Sequence, residues 1–488
     1  MKIQKHRLLS CLLQEIDKLA VLGDPLRVKQ HHLAAHAILA ELVRGDRLHD
    51  IRDQYECGYS LGLRLARAIG RVDASPVCKL PPRISHSYDQ AATHALFYGL
   101  QSALADLIAV SGYPVGGDSE IDAVVLNLMR WEASLYELPS LPESSQSRQL
   151  DMQAMLERSV RNQGGALTHA RLLQCEQVLD SFGNTALHFE IEDADSRRWP
   201  LVCRIQKDDV PLGLRSNVAD EFRLLRYLYQ QGISVAEPMW LENKRSIEEL
   251  SFSVSRRPPT GTQLESWTDL QSLNGSQIQA LASELARIHG VRLQANDGVL
   301  QDNLIDSTDS EPRAAVAAQR YLDRWVNLWK SSDTAPSSIL LATLQWLRVN
   351  APQSNEEPVL VHGDYSPNNV VFDGDQVASV VDWSHAHTGD RAEDLAYLLP
   401  SLGSHEQVDH FMREYVAAGG HTVSQFQLKY YAVMDQFKKL VAMQEARLRF
   451  DMSHADPELC FIGFQSIQMP ASNVGAAICA AEAVRHMM

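Results

Sequence analysis

The chain has 488 residues, 45% of them hydrophobic and 22% charged, with a formal net charge of −16. The composition is that of a globular protein and the length implies two or three domains, while the acidic balance excludes broad binding to nucleic acid or to an anionic membrane surface. Seven scattered cysteines, none in a Cys-x-x-Cys pair, argue against a disulfide framework or zinc site and for a reducing, cytoplasmic setting.

The first residues carry basic side chains ahead of an apolar run, but Gln14, Glu15 and Asp17 interrupt that run. It therefore reads as an amphipathic helix rather than a leader, and no uninterrupted apolar stretch is long enough to span a bilayer. Leu9, Leu12, Leu13, Ile16 and Leu19 recur at helical spacing, as do Leu61, Leu65, Ala68 and Ile69, and similar patterns fill 89–110 and 120–136. An all-helical domain of unknown role is predicted over 1–138. His31, His32 and His36 cluster within it at a spacing that can hold a metal, but no third ligand is identifiable and a solvated helix face is the simpler expectation. A Ser- and Pro-rich linker follows over 139–150.

Beyond a helical stretch near 151–160 the pattern changes. Segments 175–180, 185–192 and 200–206 read as short strands. A helix is predicted near 217–230, with Val218, Phe222, Leu225 and Leu228 on one face. A strand at Phe252–Ser255 runs into Pro258-Pro259, a stiff break suited to a hinge. The remainder is mainly helical, with Ser276 and Gln279 expected to form a capping box ahead of Ile278, Leu281, Leu285 and Ile288. Short β runs return only over 358–382.

That last stretch carries the chemistry. Val370–Phe372 and Val377–Val381 flank Asp373-Gly374, a strong hairpin signal, so Asn369 and Asp382 should face each other across its open end. An amide oxygen and a carboxylate held there suit Mg²⁺, which takes few protein oxygens and keeps waters and phosphates. Asp364, five positions before Asn369, can orient an attacking hydroxyl beside a metal-bound phosphate and accept its proton.

The set His362-Gly363-Asp364, Asn369, Asp382-Trp383, Gly389-Asp390 and Asp394-Leu395-Ala396 resembles the aminoglycoside phosphotransferase family of small-molecule kinases. The resemblance covers residues 160–440 or so. It implies an α+β, bilobal protein-kinase-like fold, here preceded by the all-α N-terminal domain, with a nucleotide-binding lobe at 151–258 and a helical catalytic lobe at 259–488. It also implies ATP and Mg²⁺ as cofactors, Asp364 as catalytic base, Asn369 and Asp382 as metal ligands, and Asp390 and Asp394 as braces. His362 is expected to be structural, and His385 and His387 to be loop scaffolding or substrate contacts.

Kinases place a cation, normally Lys, on the third strand, paired with a helix Glu. Here the strand Leu201–Ile205 carries Arg204, Lys207 lies just beyond it, and Glu221 is the natural partner. An Arg fork can bind phosphate bidentately, although the same pair could be a surface salt bridge. A subgroup of the resembled family associated with acyl-CoA dehydrogenases carries Val-Leu-Arg-Arg in this strand. The phosphate-covering turn would contain Gly183 and Asn184, without a Gly-x-Gly-x-x-Gly or Walker A pattern.

The expected activity is ATP- and Mg-dependent phosphoryl transfer to a small-molecule hydroxyl, of a hydroxyacyl-CoA or related catabolic alcohol. An aminoglycoside or other antibiotic kinase and a non-catalytic nucleotide-binding protein are the alternatives. The N-terminal domain could serve as an interaction module, a homodimer surface or a substrate lid.

Overall fold

In residues 198–206, Leu201, Cys203 and Ile205 are buried while Val202, Arg204 and Gln206 are less so, the period-two pattern of a strand with one face on a core. The computed structural model describes residues 55–66, 100–109, 120–134, 152–177, 184–206, 213–243, 250–258, 262–263, 273–292, 313–332, 337–452, 462–463 and 467–485, apart from 56 and 102. Among the described residues, helical stretches at 55–66 and 100–109 precede α1 (Glu120–Ser134), which is followed by α2 (Met152–Asn162). Five strands follow: β1 (Arg171–Gln177), β2 (Asn184–Glu192), β3 (Arg198–Gln206), β4 (Pro238–Glu242) and β5 (Phe252–Arg256). They form one antiparallel sheet in the order β1-β2-β3-β5-β4.

One face of this sheet buries Leu187, Phe189, Leu201, Cys203, Ile205 and Val254 against Leu156 and Val160 of α2. Each large side chain so buried contributes about 1.5–3 kcal/mol relative to exposure. A polar pin fixes α2: Ser159 Oγ donates to Glu242 at 2.9 Å and accepts the Trp240 indole N–H at 2.9 Å. The edge strand β4 was not apparent from sequence. It is five residues long and opens on Pro238, which lacks an N–H and suits a strand start on a sheet edge.

Between β3 and β4 runs α3 (Val218–Gln230), whose cap Asn217 accepts the Asp220 N–H and whose first turn holds Asp220 and Glu221 against the positive helix end. After β6 (Thr262–Gln263) comes α4 (Gly275–His289). Its capping box is Asn274 with Gln277, not Ser276 with Gln279 as expected. Asn274 also donates to Asp375 at 2.8 Å, and Gln277 to the Gly374 carbonyl at 3.3 Å, so contacts with a distant hairpin select the earlier start.

The remaining elements are α5 (Ala314–Ser331), α6 (Ser338–Val349), β7 (Val359–Val361), β8 (Val370–Asp373), β9 (Gln376–Val380), β10 (His387–Gly389), α7 (Ala392–Leu398), α8 (His405–Ala417), α9 (Gln425–Met452) and α10 (Gln468–Arg485). The strands add two small sheets, β6-β8-β9 and β10-β7. A second core gathers Leu281 and Leu285 of α4, Val370, Phe372 and Val380 of the hairpin, Trp383, Leu395, and Phe411 and Tyr415 of α8.

The chain divides into two compact units. One comprises Arg148–Leu322 and Pro352–Tyr431 and contains all ten strands found among the described residues. The other comprises Met1–Ser147, Asp323–Ala351 and Ala432–Met488, so two later segments group with the N-terminal part. Its described residues are helical: α1, α6 and α10 pack together, and the Trp346 indole donates to Glu482 at 2.7 Å. The helix expected near 9–19, the three early histidines and the 139–150 linker lie outside the described residues. No described helix is long and apolar enough to cross a membrane.

Candidate active site

The β8–β9 hairpin closes through Asp373↔Gln376, with Gly374 at φ 60°, and pairs as far as Val370↔Val380. The Val381 N–H then donates to the Asn369 carbonyl at 2.9 Å. Asn369 and Asp382 therefore leave the hairpin at the same end, as the Asp-Gly signal implied. Asp382 adopts φ 61°, ψ 63°, a left-handed conformation unusual for a residue with a side chain. Such geometry persists where its surroundings enforce it. Here the Arg204 ion pair and a 2.9 Å hydrogen bond from Ser384 Oγ hold the carboxylate.

The loop after β7 is gripped from below by Asp394 in α7. Its carboxylate accepts the His362 N–H at 2.8 Å and the Gly363 N–H at 2.9 Å. It also meets His289 Nε2 at 3.1 Å, and the other ring nitrogen of His289 meets the Tyr415 hydroxyl at 2.7 Å. Burial works against ionisation of Asp394, but the bond and charge of His289 and the charge of His362 outweigh it and hold its pKa below the usual carboxylate value. The His362 ring meets the Val381 carbonyl at 3.1 Å, tying the loop to the hairpin end.

Gly363 has φ +81°, and a Cβ there would stand 2.6 Å from the His385 carbonyl oxygen. Both the conformation and the contact require glycine. Gly363→Ala is expected to cost about 1–3 kcal/mol from backbone strain alone, read as a lower melting temperature with activity lost in parallel.

Within this loop Asp364 receives the Asn369 side-chain amide twice, at 3.0 Å on Oδ2 and 2.9 Å on its carbonyl. The Tyr397 hydroxyl, from α7, hydrogen-bonds the same carboxylate. Burial, and then the charge of Asp382, raise the pKa of Asp364. A buried carboxylate with raised basicity, held by donors in a fixed direction, is suited to accept a proton.

The strand alternation that buries Cys203 turns Arg204 to the opposite face of the sheet. There its Nε lies 3.2 Å from Glu221 and a terminal nitrogen 2.8 Å from Asp382. Glu221 is buried and its other oxygen accepts the Trp383 N–H at 3.2 Å. This is no surface salt bridge, because all three side chains are largely removed from water. Burial raises the pKa of Glu221, with Arg204 opposing. For Asp382 burial acts the same way, but Arg204 and Arg215 overcome it and hold the carboxyl well below its usual range. One guanidinium thus ties the sheet, the first turn of α3 and the hairpin end together.

Of the residues singled out in the sequence, Asp364, Asn369, Asp382, Arg204 and Glu221 converge on this one region. Asn184 opens β2 opposite Gln206, and Gly183 lies outside the described residues. Asp390 accepts the Ala392 N–H at 2.9 Å at the start of α7. His387 is buried, stacked on Tyr321 with centroids 3.6 Å apart and 3.2 Å from Glu393, which makes it scaffolding. Arg215, His289 and Tyr397 also reach the site, and no sequence motif marks them. Only His289 gave a signal, as a histidine on the buried face of an amphipathic helix.

The donor set can be tested for the expected Mg²⁺. Among the described residues no group of three or more His, Cys, Asp or Glu could hold a metal. The Asn369 amide nitrogen donates to Asp364, and Asp382 engages Arg204 and Ser384 through Oδ1. Two hard oxygens from neighbouring positions fit an ion that completes its shell with water and phosphate.

Residues 176–437, more than half of the chain, match the phosphotransferase enzyme family. Hygromycin-B 4-O-kinase of Escherichia coli is 27% identical over 209 residues, 39% of this chain and 57% of that protein. Acyl-CoA dehydrogenase family member 11 of Mus musculus is 25% identical over 188 residues, 36% of this chain and 22% of that one. The chain thus spans little more than half of the first relative and under a quarter of the second. Aminoglycoside 3'-phosphotransferase of Streptomyces fradiae is 27% identical over 232 residues, 45% of this chain and 80% of that protein. Among solved structures, a macrolide 2'-phosphotransferase from Brachybacterium faecium is 17% identical with a TM-score of 0.43, covering 67% of this chain and 98% of its own.

Proposed function

Because the chain belongs to the phosphotransferase enzyme family, we propose that it transfers the γ-phosphoryl group of ATP to a hydroxyl of a small molecule, with Asp364 as base. The observation that carries this is the buried Arg204–Glu221 pair on β3 and α3, at 3.2 Å, reaching Asp382 at 2.8 Å beside the loop of Asp364. A strand cation paired with a helix Glu and followed by an Asp, Asn, Asp series is the arrangement by which kinases position a triphosphate. The strand-rich segment 151–258 serves as the nucleotide lobe, and the chain from 259 supplies the catalytic loop.

In the reaction, the acceptor oxygen forms a bond to the γ-phosphorus as the bond to the β,γ-bridging oxygen breaks, releasing ADP. Asp364 takes the hydroxyl proton, and Asn369 and Tyr397 fix the direction of its carboxylate. Asp394 keeps the loop in place through the His362 and Gly363 amides. Asn369 and Asp382 would hold Mg²⁺, which supplies charge neutralisation on the phosphates when bound. Most of the rate enhancement then comes from positioning and fixed charge.

For the acceptor, Arg204 in place of the usual strand Lys and the similarity to acyl-CoA dehydrogenase family member 11 favour a hydroxyacyl-CoA or related catabolic alcohol. The second candidate is a cationic aminoglycoside, supported by the two antibiotic-kinase relatives and the net charge of −16. An ADP-release screen with Mg·ATP over hydroxyacyl-CoAs, aminoglycosides and amino alcohols tests both. Acceptor-dependent ADP release, absent in Asp364→Ala, is expected from one of these classes. Tight nucleotide binding with no release on any acceptor would instead identify a non-catalytic binding protein.

A further inference from the structure

Three carboxylates, Glu221, Asp364 and Asp382, meet at this site, and Arg204 already commits Nε to one and a terminal nitrogen to another. A nucleotide brings several further negative charges into the same space. A second guanidinium stands beside these groups, on the segment between β3 and α3. Arg215 is half-buried and its Nε donates to His385 Nε2 at 3.1 Å. The next residue anchors the backbone, the Ser216 N–H donating to the Ser384 carbonyl at 2.7 Å. The charge of Arg215 is felt at both Asp382 and Glu221. His385, its partner, is packed against the loop of the base: the His385 carbonyl is the atom that a Cβ on Gly363 would strike. Arg215 is therefore held on the turn that carries Asp382, through His385, whose carbonyl in turn abuts Gly363 in the loop carrying Asp364. Asp382 and Asp364 are the two groups that would flank a phosphoryl group in transfer.

We propose that Arg215 is a second phosphate-binding cation of this site, which contacts the γ-phosphoryl oxygens and stabilises their charge during transfer, with His385 fixing its direction. The inference rests on the phosphotransferase reading and adds a residue to it. Arg204 is committed to Glu221 and Asp382 and acts at the sheet. Arg215 enters from the chain leading into α3, and its planar fork suits phosphate oxygens. An arginine supplied in cis at the transferring group is one recognised means of stabilising that charge. A purely structural clamp would instead hold the Ser216–Ser384 segment without sensing which phosphates are bound.

Calorimetric titration of the full chain with Mg·AMP-PNP and Mg·ADP separates the two. Arg215→Gln is expected to weaken AMP-PNP by about 10–100-fold, the loss for a charge-assisted bond to one phosphate, and to leave ADP affinity essentially unchanged. Arg215→Lys keeps the charge without the fork, protects against misfolding of the Gln variant, and should show a smaller loss again confined to AMP-PNP. Equal losses for both nucleotides, or no loss for either, overturn the proposal and make Arg215 a structural clamp. A wild-type chain that binds neither nucleotide would overturn the phosphotransferase reading itself, which variant effects alone do not touch.

Discussion

Asp364→Asn is expected to lower turnover by about 10²–10⁴-fold, the share of rate carried by a general base, without lowering thermal stability. The side chain of Asn retains an oxygen that can accept the Asn369 amide now donated to Asp364 Oδ2 at 3.0 Å. What it loses is the capacity to take a proton. The effect on stability follows from the direction of the pKa shift. Burial and the neighbouring charge of Asp382 raise the folded pKa of Asp364 above its unfolded value. The stability contributed by the group is therefore fully present below the unfolded pKa and is lost as pH rises through the folded one. At neutral pH the wild-type protein carries that loss, and an uncharged amide does not. The melting temperature of Asp364→Asn at pH 7.5 should equal or exceed that of the wild type, with the difference shrinking as the pH is lowered into the carboxylate range. Inactivity accompanied by a clear drop in melting temperature would mean that Asp364 holds the loop rather than performs the chemistry.

What the sequence discloses and what it hides divide by distance along the chain. The β8–β9 hairpin and the meeting of Asn369 with Asp382 are written in Asp373-Gly374 and the β-branched runs on either side, so local pattern is enough. The alternation of β3 likewise reveals which way Arg204 points once Cys203 is buried. By contrast, Arg215 finds His385 170 positions away and His289 finds Asp394 105 positions away, and no spacing rule connects such pairs. Strands β6 and β10, two and three residues long, exist because a partner strand is present, and their own sequences carry no signal. The cap of α4 shows the same effect on a small scale. Both Asn274 and Ser276 precede a Gln by three positions, and contacts to Asp375 and Gly374 decide between them. The grouping of Asp323–Ala351 and Ala432–Met488 with the N-terminal unit is of this kind too. An amphipathic helix announces that it has a partner and not which one.

Arg204→Met is expected to abolish nucleotide binding and to destabilise the protein by about 3–5 kcal/mol, the cost of leaving buried charges unpaired. Arg204 contacts Glu221 at 3.2 Å and Asp382 at 2.8 Å, and the three side chains are 21%, 4% and 19% exposed. Solvent can therefore replace little of what the guanidinium supplies. Met fills similar volume along the aliphatic stem, so the loss is mainly of charge and not of packing. The pH dependence identifies the cause. In the wild type the folded pKa of Asp382 is depressed, so its contribution is present above the unfolded carboxylate pKa and is lost only as pH falls through the folded value. Without Arg204, burial raises Glu221 further than it already does and is opposed at Asp382 chiefly by Arg215, so both folded pKa values rise and more stability is lost as pH increases through them. The stability difference between the two proteins should therefore be widest near pH 7.5 and narrow towards pH 5, measured by chemical denaturation at each pH. A constant difference across that range would assign the loss to packing. Arg204→Lys, restoring the cation more usual on this strand, offers three donors from a single point and cannot reproduce both contacts in one plane. It should recover part of the stability and most of the nucleotide binding, which separates the need for charge at this position from the need for a fork.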